Sequence, residues 1–324
     1  MNKFNSSKKP LVWFSALLLT AVVAGCGGND SILGGGKAVS AGPAGITTAI
    51  ILGRAATFGS AATAGVKNTV TTPITLINGN VVLEPSAGAI CNSVAVDNAG
   101  GFGLCGSATL PSAFAPILGG TSKVYSALYD PSAAVSGVVA DLKAGFLKIT
   151  PPAGPPAAGS LGGATNLPAG TTLGAATGSA PVLNDNLFYP GVYQSLTSIL
   201  VTGDLTLDAQ GNPDAVFVFQ SSSTVGTADG SAPPVPHTRI LLINGAKASN
   251  VWWQAASSAT LGSYSEFQGN ILAAASITMK TGATSCGRLL AGAFTAGAFV
   301  FDANVVSVPG QPFAPPAGYS TTCQ

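Results

Sequence analysis

Residues 251–286 read VWWQAASSATLGSYSEFQ and then GNILAAASITMKTGATSC, two stretches of 18 residues that can be laid one over the other. In that frame Ala255 falls on Ala273, Ala256 on Ala274, Ser258 on Ser276 and Thr260 on Thr278. Leu261 over Met279 keeps an apolar residue in register. The same texture extends outward over Leu205–Val306. Short apolar runs are each closed by Gly, Asn, Asp, Ser or Thr, and none is long or regular enough for an amphipathic helix. Such runs predict many short strands with turns between them. A repeat of this length is one coil of a β-solenoid, in which each turn buries its inner side chains against the turns above and below.

Four segments carry a resemblance: TLDAQGNPDAVFVFQ (206–220), LLINGAKASNVWWQAASSATLG (241–262), FQGNILAAASITMKTGAT (267–284) and CGRLLAGA (286–293). They are similar to the bacterial and fungal ice-binding-protein-like domain, most strongly over 187–308. Over 47–150 the resemblance is weaker, and LGRAATFGSAATAGVKNT (52–69) resembles the family's opening strand and turn. The resemblance implies a mainly β fold: a right-handed, irregular (discontinuous) β-solenoid of roughly triangular section with one lateral α-helix. The residues alone give stacked short strands plus a helix.

The resemblance also implies an activity, the binding of ice or ordered water through a flat solenoid face, without catalysis or cofactor. In such members small side chains and threonines stand in ranks on coils about 4.8 Å apart. Their methyl groups hold ordered water while hydroxyls anchor it. The family's surface motif is Thr, then Ala or Gly, any residue, then Thr or Asn. Thr281-Gly282-Ala283-Thr284 fits it, and with Thr260 and Thr278 these are the implied ice-face residues. One coil earlier Ser263-Tyr264-Ser265-Glu266 does not fit, and the stretches from Thr202 and Thr227 fit halfway. Asp204, Asp229, Glu266 and Lys280 would put charge on or beside that face. Alternate residues of a strand point to opposite sides, so Thr281 and Thr284 share a face only if the chain turns between them, at Gly282. A second reading keeps the scaffold and makes it a cell-surface structural or adhesive module, with a protein partner for which the sequence has no signature.

Composition supports a folded, weakly charged domain. Of 324 residues 47% are apolar and only 8% charged, enough burial to offset the entropy of ordering. The formal net charge is +1, and removing Lys3, Lys8 and Lys9 with residues 1–25 leaves 10 basic against 12 acidic residues, net −2. No basic patch stands in the sequence, which disfavours nucleic acid as a partner.

The N-terminus reads as an export signal. Lys3, Lys8 and Lys9 precede an apolar core, Leu11–Val23, which is short for spanning a bilayer. Val23-Ala24-Gly25-Cys26 then resembles the lipobox of bacterial lipoproteins, which makes Cys26 the lipidated residue and the lipid the contact with the membrane. The implied location is the cell envelope, outer membrane or cell surface. The organisation is thus a signal peptide at 1–25, a Gly- and Ser-rich tether at 26–45, a domain at 46–310 and a loose tail at 311–324.

With Cys26 lipidated, four cysteines remain in an oxidising compartment and allow three pairings. Cys91 and Cys105 flank a Gly-rich loop and form a natural short closure, and Cys286 would then fasten the tail through Cys323. Free buried thiols are the alternative. A zinc site finds no C-x-x-C and a single histidine, His237, read as a solvated loop residue.

Strands are expected at Ile46–Leu52, Val66–Val70, Ile74–Ile77 and Val81–Leu83, with 84–120 loop-like. A helix is expected over about 131–147. Asp130 is its N-cap, Pro131 its first residue, and Val135, Val138, Val139, Leu142 and Phe146 form its stripe. A shorter helical piece would precede it at Ser122–Tyr129. Residues 151–186 read as a long Pro/Gly/Ala connection, and Asp229–His237 as a Pro-rich excursion between coils.

Catalysis finds little to stand on. Asp204, Asp208, Asp214 and Asp302 sit beside turn residues, where carboxylates accept backbone hydrogen bonds. Asp208–Asp214 lacks the closing acid of a calcium loop, and a carbohydrate-active enzyme would need an acidic cluster that this spacing does not assemble. Trp252 and Trp253 must point to opposite sides of a strand, one into the core and the other outward or under the helix, with a sugar-stacking platform as the alternative. Phe217, Phe219, Phe299 and Phe301 are expected in the core.

Overall fold

Each strand is two to five residues long and pairs in parallel with the equivalent strand of another coil. The computed structural model describes residues 50, 52–69, 73–83, 117–119, 122, 124–126, 137–150, 164–167, 169–174, 186–235, 237–320 and 323. The signal segment, Cys26, the tether, Cys91, Cys105, Asp130 and Pro131 lie outside these residues.

Three parallel sheets form the three sides of a β-solenoid. The nine-stranded side runs Val124–Ser126, Val81–Leu83, Ser60–Ala62, Leu289–Ala291, Asn270–Ala273, Val251–Ala255, Phe217–Ser221, Gly191–Ser195, Thr165–Leu167. The seven-stranded side runs Gly65–Asn68, Ala298–Phe301, Ile277–Met279, Ala259–Leu261, Val225–Thr227, Ile199–Val201, Thr171–Leu173. The eight-stranded side runs Ile117–Leu118, Leu76–Asn78, Val305–Ser307, Thr284–Cys286, Glu266–Gln268, Arg239–Ile243, Asp204–Asp208, Leu187–Phe188. The two 18-residue stretches stack in the frame read from the sequence. Trp253 pairs with Ile271, Thr260 with Thr278, and Glu266 with Thr284.

The strand order is discontinuous. The coil that begins at Ser60 stacks on the last coil, at Leu289, while Thr165–Leu167 lies at the far end of the same sheet. The chain must therefore travel the length of the solenoid between Ser126 and Thr165. Eight strand spacings make that journey roughly 38 Å. The helix, Val138–Lys148, has 11 residues and supplies about 16 Å of it. Its buried residues Val138, Leu142 and Phe146 pack with Ile149 on Ala61, Val82, Val218, Trp252, Leu272 and Leu290, forming a second core outside the nine-stranded side.

Inside the solenoid the aromatic residues stack coil on coil. Tyr193, Phe219 and Trp253 occupy one register column, with ring centroids 5.3 Å and 4.2 Å apart. Trp253 is fully buried and donates its indole N–H to Gln268 O at 3.1 Å, while Trp252 lies under the helix. Phe217, Phe219, Phe299 and Phe301 are all core residues. Coils approach closely at the corner of Gly269 and Gly287, with φ of 114° and 142°. A Cβ on Gly287 would stand 2.0 Å from Gly269 O, so only glycine fits there.

Several local expectations are corrected. Val124–Ser126 is a strand paired with Val81–Leu83, where a helical piece was expected over Ser122–Tyr129. The β-branched and aromatic pair Val124-Tyr125 gains more from an open sheet edge than from one isolated turn of helix. Ile117–Leu118 is likewise a strand within the loop-like stretch. Leu52 leads into a 3₁₀ turn, Gly53–Thr57, which docks on the helix through Arg54 N–H donating to Asp141 Oδ2 at 2.8 Å. The helix begins at Val138 behind Gly137, whose φ is 89°.

Replacing Trp253 with Ala should cost about 3–5 kcal/mol, the usual range for emptying a buried indole site. Chemical denaturation checks this, and a loss below about 1 kcal/mol would contradict the stacked column.

Candidate functional site

A three-sided solenoid offers three outer surfaces, and in this chain one is covered by the helix and a second is covered in part. The helix lies on the nine-stranded side. On the eight-stranded side the C-terminal tail lies on the strands Glu266–Gln268, Thr284–Cys286 and Val305–Ser307, while Ile243 farther along the same side is 40% exposed. Tyr319 donates its hydroxyl to Gly282 O at 2.8 Å, Ser320 N–H donates to Glu266 Oε2 at 2.8 Å, and Ser307 Oγ donates to Pro312 O at 2.7 Å. Cys286 and Cys323 are joined in a disulfide with Cα atoms 5.3 Å apart. The tail is thus fastened at several points between 312 and 323 rather than loose. Burial pushes the Tyr319 hydroxyl up to about 12, with the nearby Tyr264 and Glu266 acting in the same sense.

His237 belongs to this fastening and is not a solvated loop residue. Its side chain is 6% exposed, its Nε2 lies 2.7 Å from Glu266 Oε1, and its ring stands 5.8 Å from that of Tyr319. The Pro-rich excursion folds back over the eight-stranded side, so the imidazole reaches a carboxylate 29 residues ahead.

The seven-stranded side remains. Its inward residues, among them Ile199, Val225, Ala259, Leu261, Ile277, Met279 and Phe299, are core. The residues between them point outward, and because the pairing is in register they form a straight rank: Thr172, Leu200, Gly226, Thr260, Thr278, Val300 and Lys67. Two positions before the residues of that rank stands a second one, Ser198, Thr224, Ser258 and Ser276, each immediately ahead of its strand, with Ala298 at the start of its own. Thr224 Oγ1 donates to Ser198 Oγ at 2.9 Å along it. Strand spacing of about 4.8 Å and roughly 6.7 Å between alternate residues make these ranks a regular grid of mostly small side chains, interrupted by Leu200 and Val300. Charge is confined to its border. Lys67 ends the central rank, Lys280 pairs with Asp229 at 2.8 Å, and Asp302 accepts a hydrogen bond from Thr281 at 2.6 Å. The hydrogen bond from Lys280 and that from the Ser263 N–H hold the Asp229 carboxyl below its ordinary value.

The candidate residues separate on this geometry. Thr260 and Thr278 stand side by side on the open face. Thr281 is exposed at the corner and Gly282 makes the turn, with φ of 68°. Ala283 is in the core, and Thr284 is 2% exposed on the eight-stranded side beside Glu266. The Thr-Gly-Ala-Thr motif therefore forms no outward pair of threonines. The turn that Gly282 allows carries Thr284 around the corner to a different side. Ser198, Leu200, Thr224, Gly226, Ser258 and Ser276 were missed as face residues. The 18-residue frame already aligned Ser258 with Ser276, and alternation about Thr260 and Thr278 would have placed both outward. Among the described residues no group of three or more His, Cys, Asp or Glu could hold a metal ion.

A family model described as ice-binding-like matches residues 60–306. The chain belongs to the ice-binding-like family. An ice-binding protein of Nostoc sp. (strain HG1) is 49% identical over 119 residues, covering 36% of this chain and 40% of that protein. Ice-binding protein 1 of Shewanella frigidimarina is 40% identical over a stretch that is 13% of its length, so the chain spans well under half of these two relatives. An ice-binding protein of Flammulina populicola is 28% identical over 276 residues, 85% of this chain and 92% of that one. The crystal structure of the ice-binding protein from the Antarctic ascomycete Antarctomyces psychrotrophicus shares the fold, with a TM-score of 0.53 and 27% identity over 79% of this chain and 96% of its own. These members of the family are named as ice-binding proteins and not as enzymes.

The disulfide closes a separation of 37 residues, so Cys323→Ser should lower stability by about 2–4 kcal/mol. Denaturation of the variant, with peptide mapping of the unreduced parent, checks both the bond and its contribution.

Proposed function

We propose that this protein binds ice or ordered water through the seven-stranded side, without catalysis, and that it is exported and held to the cell envelope by lipid on Cys26. The observation that carries the reading is the uncovered, mostly small-residue grid of Ser, Thr, Gly and Ala, with Leu200 and Val300, around Thr260 and Thr278 on a rigid parallel sheet. Its chemistry suits ordered water. Threonine methyl groups favour caged water, hydroxyls accept and donate at fixed spacing, and little charge is present to orient water into competing shells. Rigidity matters because a surface that must be ordered on binding loses affinity to entropy. The names of the relatives support the same reading.

Thermal hysteresis and ice-crystal shaping by residues 27–324 test it. Thr260→Tyr combined with Thr278→Tyr should abolish shaping while stability stays within about 0.5 kcal/mol, as for most surface changes. Thr281→Tyr, at the corner, should retain most of it. Shaping that persists in the double variant removes this face from the reading.

Export and lipidation rest on the sequence. The apolar core Leu11–Val23 ends in Val-Ala-Gly-Cys, and Gly27, in place of Asp, favours sorting to the outer membrane in a Gram-negative host. Cys26→Ser should leave an unprocessed precursor. A variant that is processed and retained on the membrane as usual would overturn the assignment.

A further inference from the structure

Where the open side meets the tail side, the fold leaves a cavity of about 710 Å³, within the range of small-ligand sites. Its walls include Asn186, Thr202, Asp204, Asp229, Val235 and Arg239. We propose that this cavity binds a neutral polyhydroxylated ligand, one or two pyranose units of a glycan, at a site separate from the ice-binding grid.

Charge selects that class. Asp204 and Arg239 are register partners and form a two-pronged ion pair, with Arg239 Nε 2.9 Å from Asp204 Oδ1 and Nη2 bonded to Oδ2. Asp229 is paired with Lys280. Each of these two carboxylates thus has its own cation, so neither stands free to take a metal ion, and neither cation stands free to take a phosphate. The Asp204–Arg239 pair occupies one bond at each carboxylate oxygen and two of the five guanidinium N–H donors. What remains is a planar array of acceptors and donors, 40–44% exposed at the side chains, of the kind that adjacent sugar hydroxyls satisfy in both directions.

Shape agrees with charge. A pyranose has a polar rim and an apolar C–H face, and the cavity offers both kinds of wall. The lining also includes Pro234 and Val235, the latter 49% exposed although apolar. The His237–Glu266 contact anchors this Pro-rich wall to the tail side. Gly174 and Gly203 also line the cavity, where their backbones pass so closely that a Cβ on Gly174 would stand 3.1 Å from the backbone of Gly203.

The test uses the full chain in detergent, titrated with glucose, mannose, galactose, N-acetylglucosamine, maltose and cellobiose under saturation-transfer NMR. At least one sugar should bind with a dissociation constant on the order of 1 mM, a modest affinity for so open a site. Asp204→Asn should weaken it at least about tenfold, the cost of one charge-assisted hydrogen bond, and so should Val235→Asp, which removes the apolar wall without touching the ion pair. The Thr260→Tyr, Thr278→Tyr variant should bind sugar as the parent does, and Asp204→Asn should shape ice as the parent does, so each reading can fail alone. Absence of binding by the parent across the panel at about 50 mM would overturn the proposal. So would unchanged binding in Val235→Asp, whose exposed position keeps it folded should Asp204→Asn not be.

Discussion

Every feature of this molecule depends on coil-to-coil pairing in register. Strands of two to five residues cannot stand alone. Each coil satisfies its backbone groups through the coils on either side, and a shift of one residue would turn the whole inner set outward. The same alignment that stacks Tyr193, Phe219 and Trp253 inside the solenoid lines up Leu200, Gly226, Thr260 and Thr278 outside it. The core and the grid are two sides of one constraint. A regular outer surface costs the protein no interaction beyond those that fold it.

Corners hold that alignment. Asn270 donates to the carbonyls of Ala248, Ser249 and Val251, and Asn304 donates to those of Lys280 and Ala283, so side-chain amides take up backbone acceptors where the strands stop. These bonds fix the turn that sends Thr284 to a different side from Thr278. One outer side is then covered by an apolar helix stripe, and part of a second by a polar, disulfide-fastened tail. The open side is defined as much by what covers its neighbours as by its own residues. Charged groups gather at the border of that side, where Asp229–Lys280 and Asp204–Arg239 neutralise each other.

Local sequence determined a good deal by itself. The 18-residue frame from Val251 gives the length of the coil it opens and that coil's register on all three sides, because a period in sequence becomes a period in space when a turn repeats the same three strands. The longer coils before it carry no such period. Adjacent Trp252 and Trp253 could be divided between two cores, since strand geometry sends neighbours to opposite sides. The helix stripe at Val138, Leu142 and Phe146 was legible for the same kind of reason.

Only the tertiary structure decided which surface remained open. The first coil stacks on the last, the helix crosses one side, and the tail returns over another; each event joins residues more than 30 positions apart, beyond the reach of any local pattern. Thr281-Gly282-Ala283-Thr284 shows the limit clearly. As a string it matches a surface motif, yet a turn at Gly282 divides it among a corner, the core and the side beneath the tail. His237 shows the converse. It looked solvated in a Pro-rich stretch, and its burial depends on a carboxylate and a tyrosine brought together by folding. Sequence periodicity specifies the direction a side chain takes from its own coil, whereas exposure depends on what the rest of the chain lays over it.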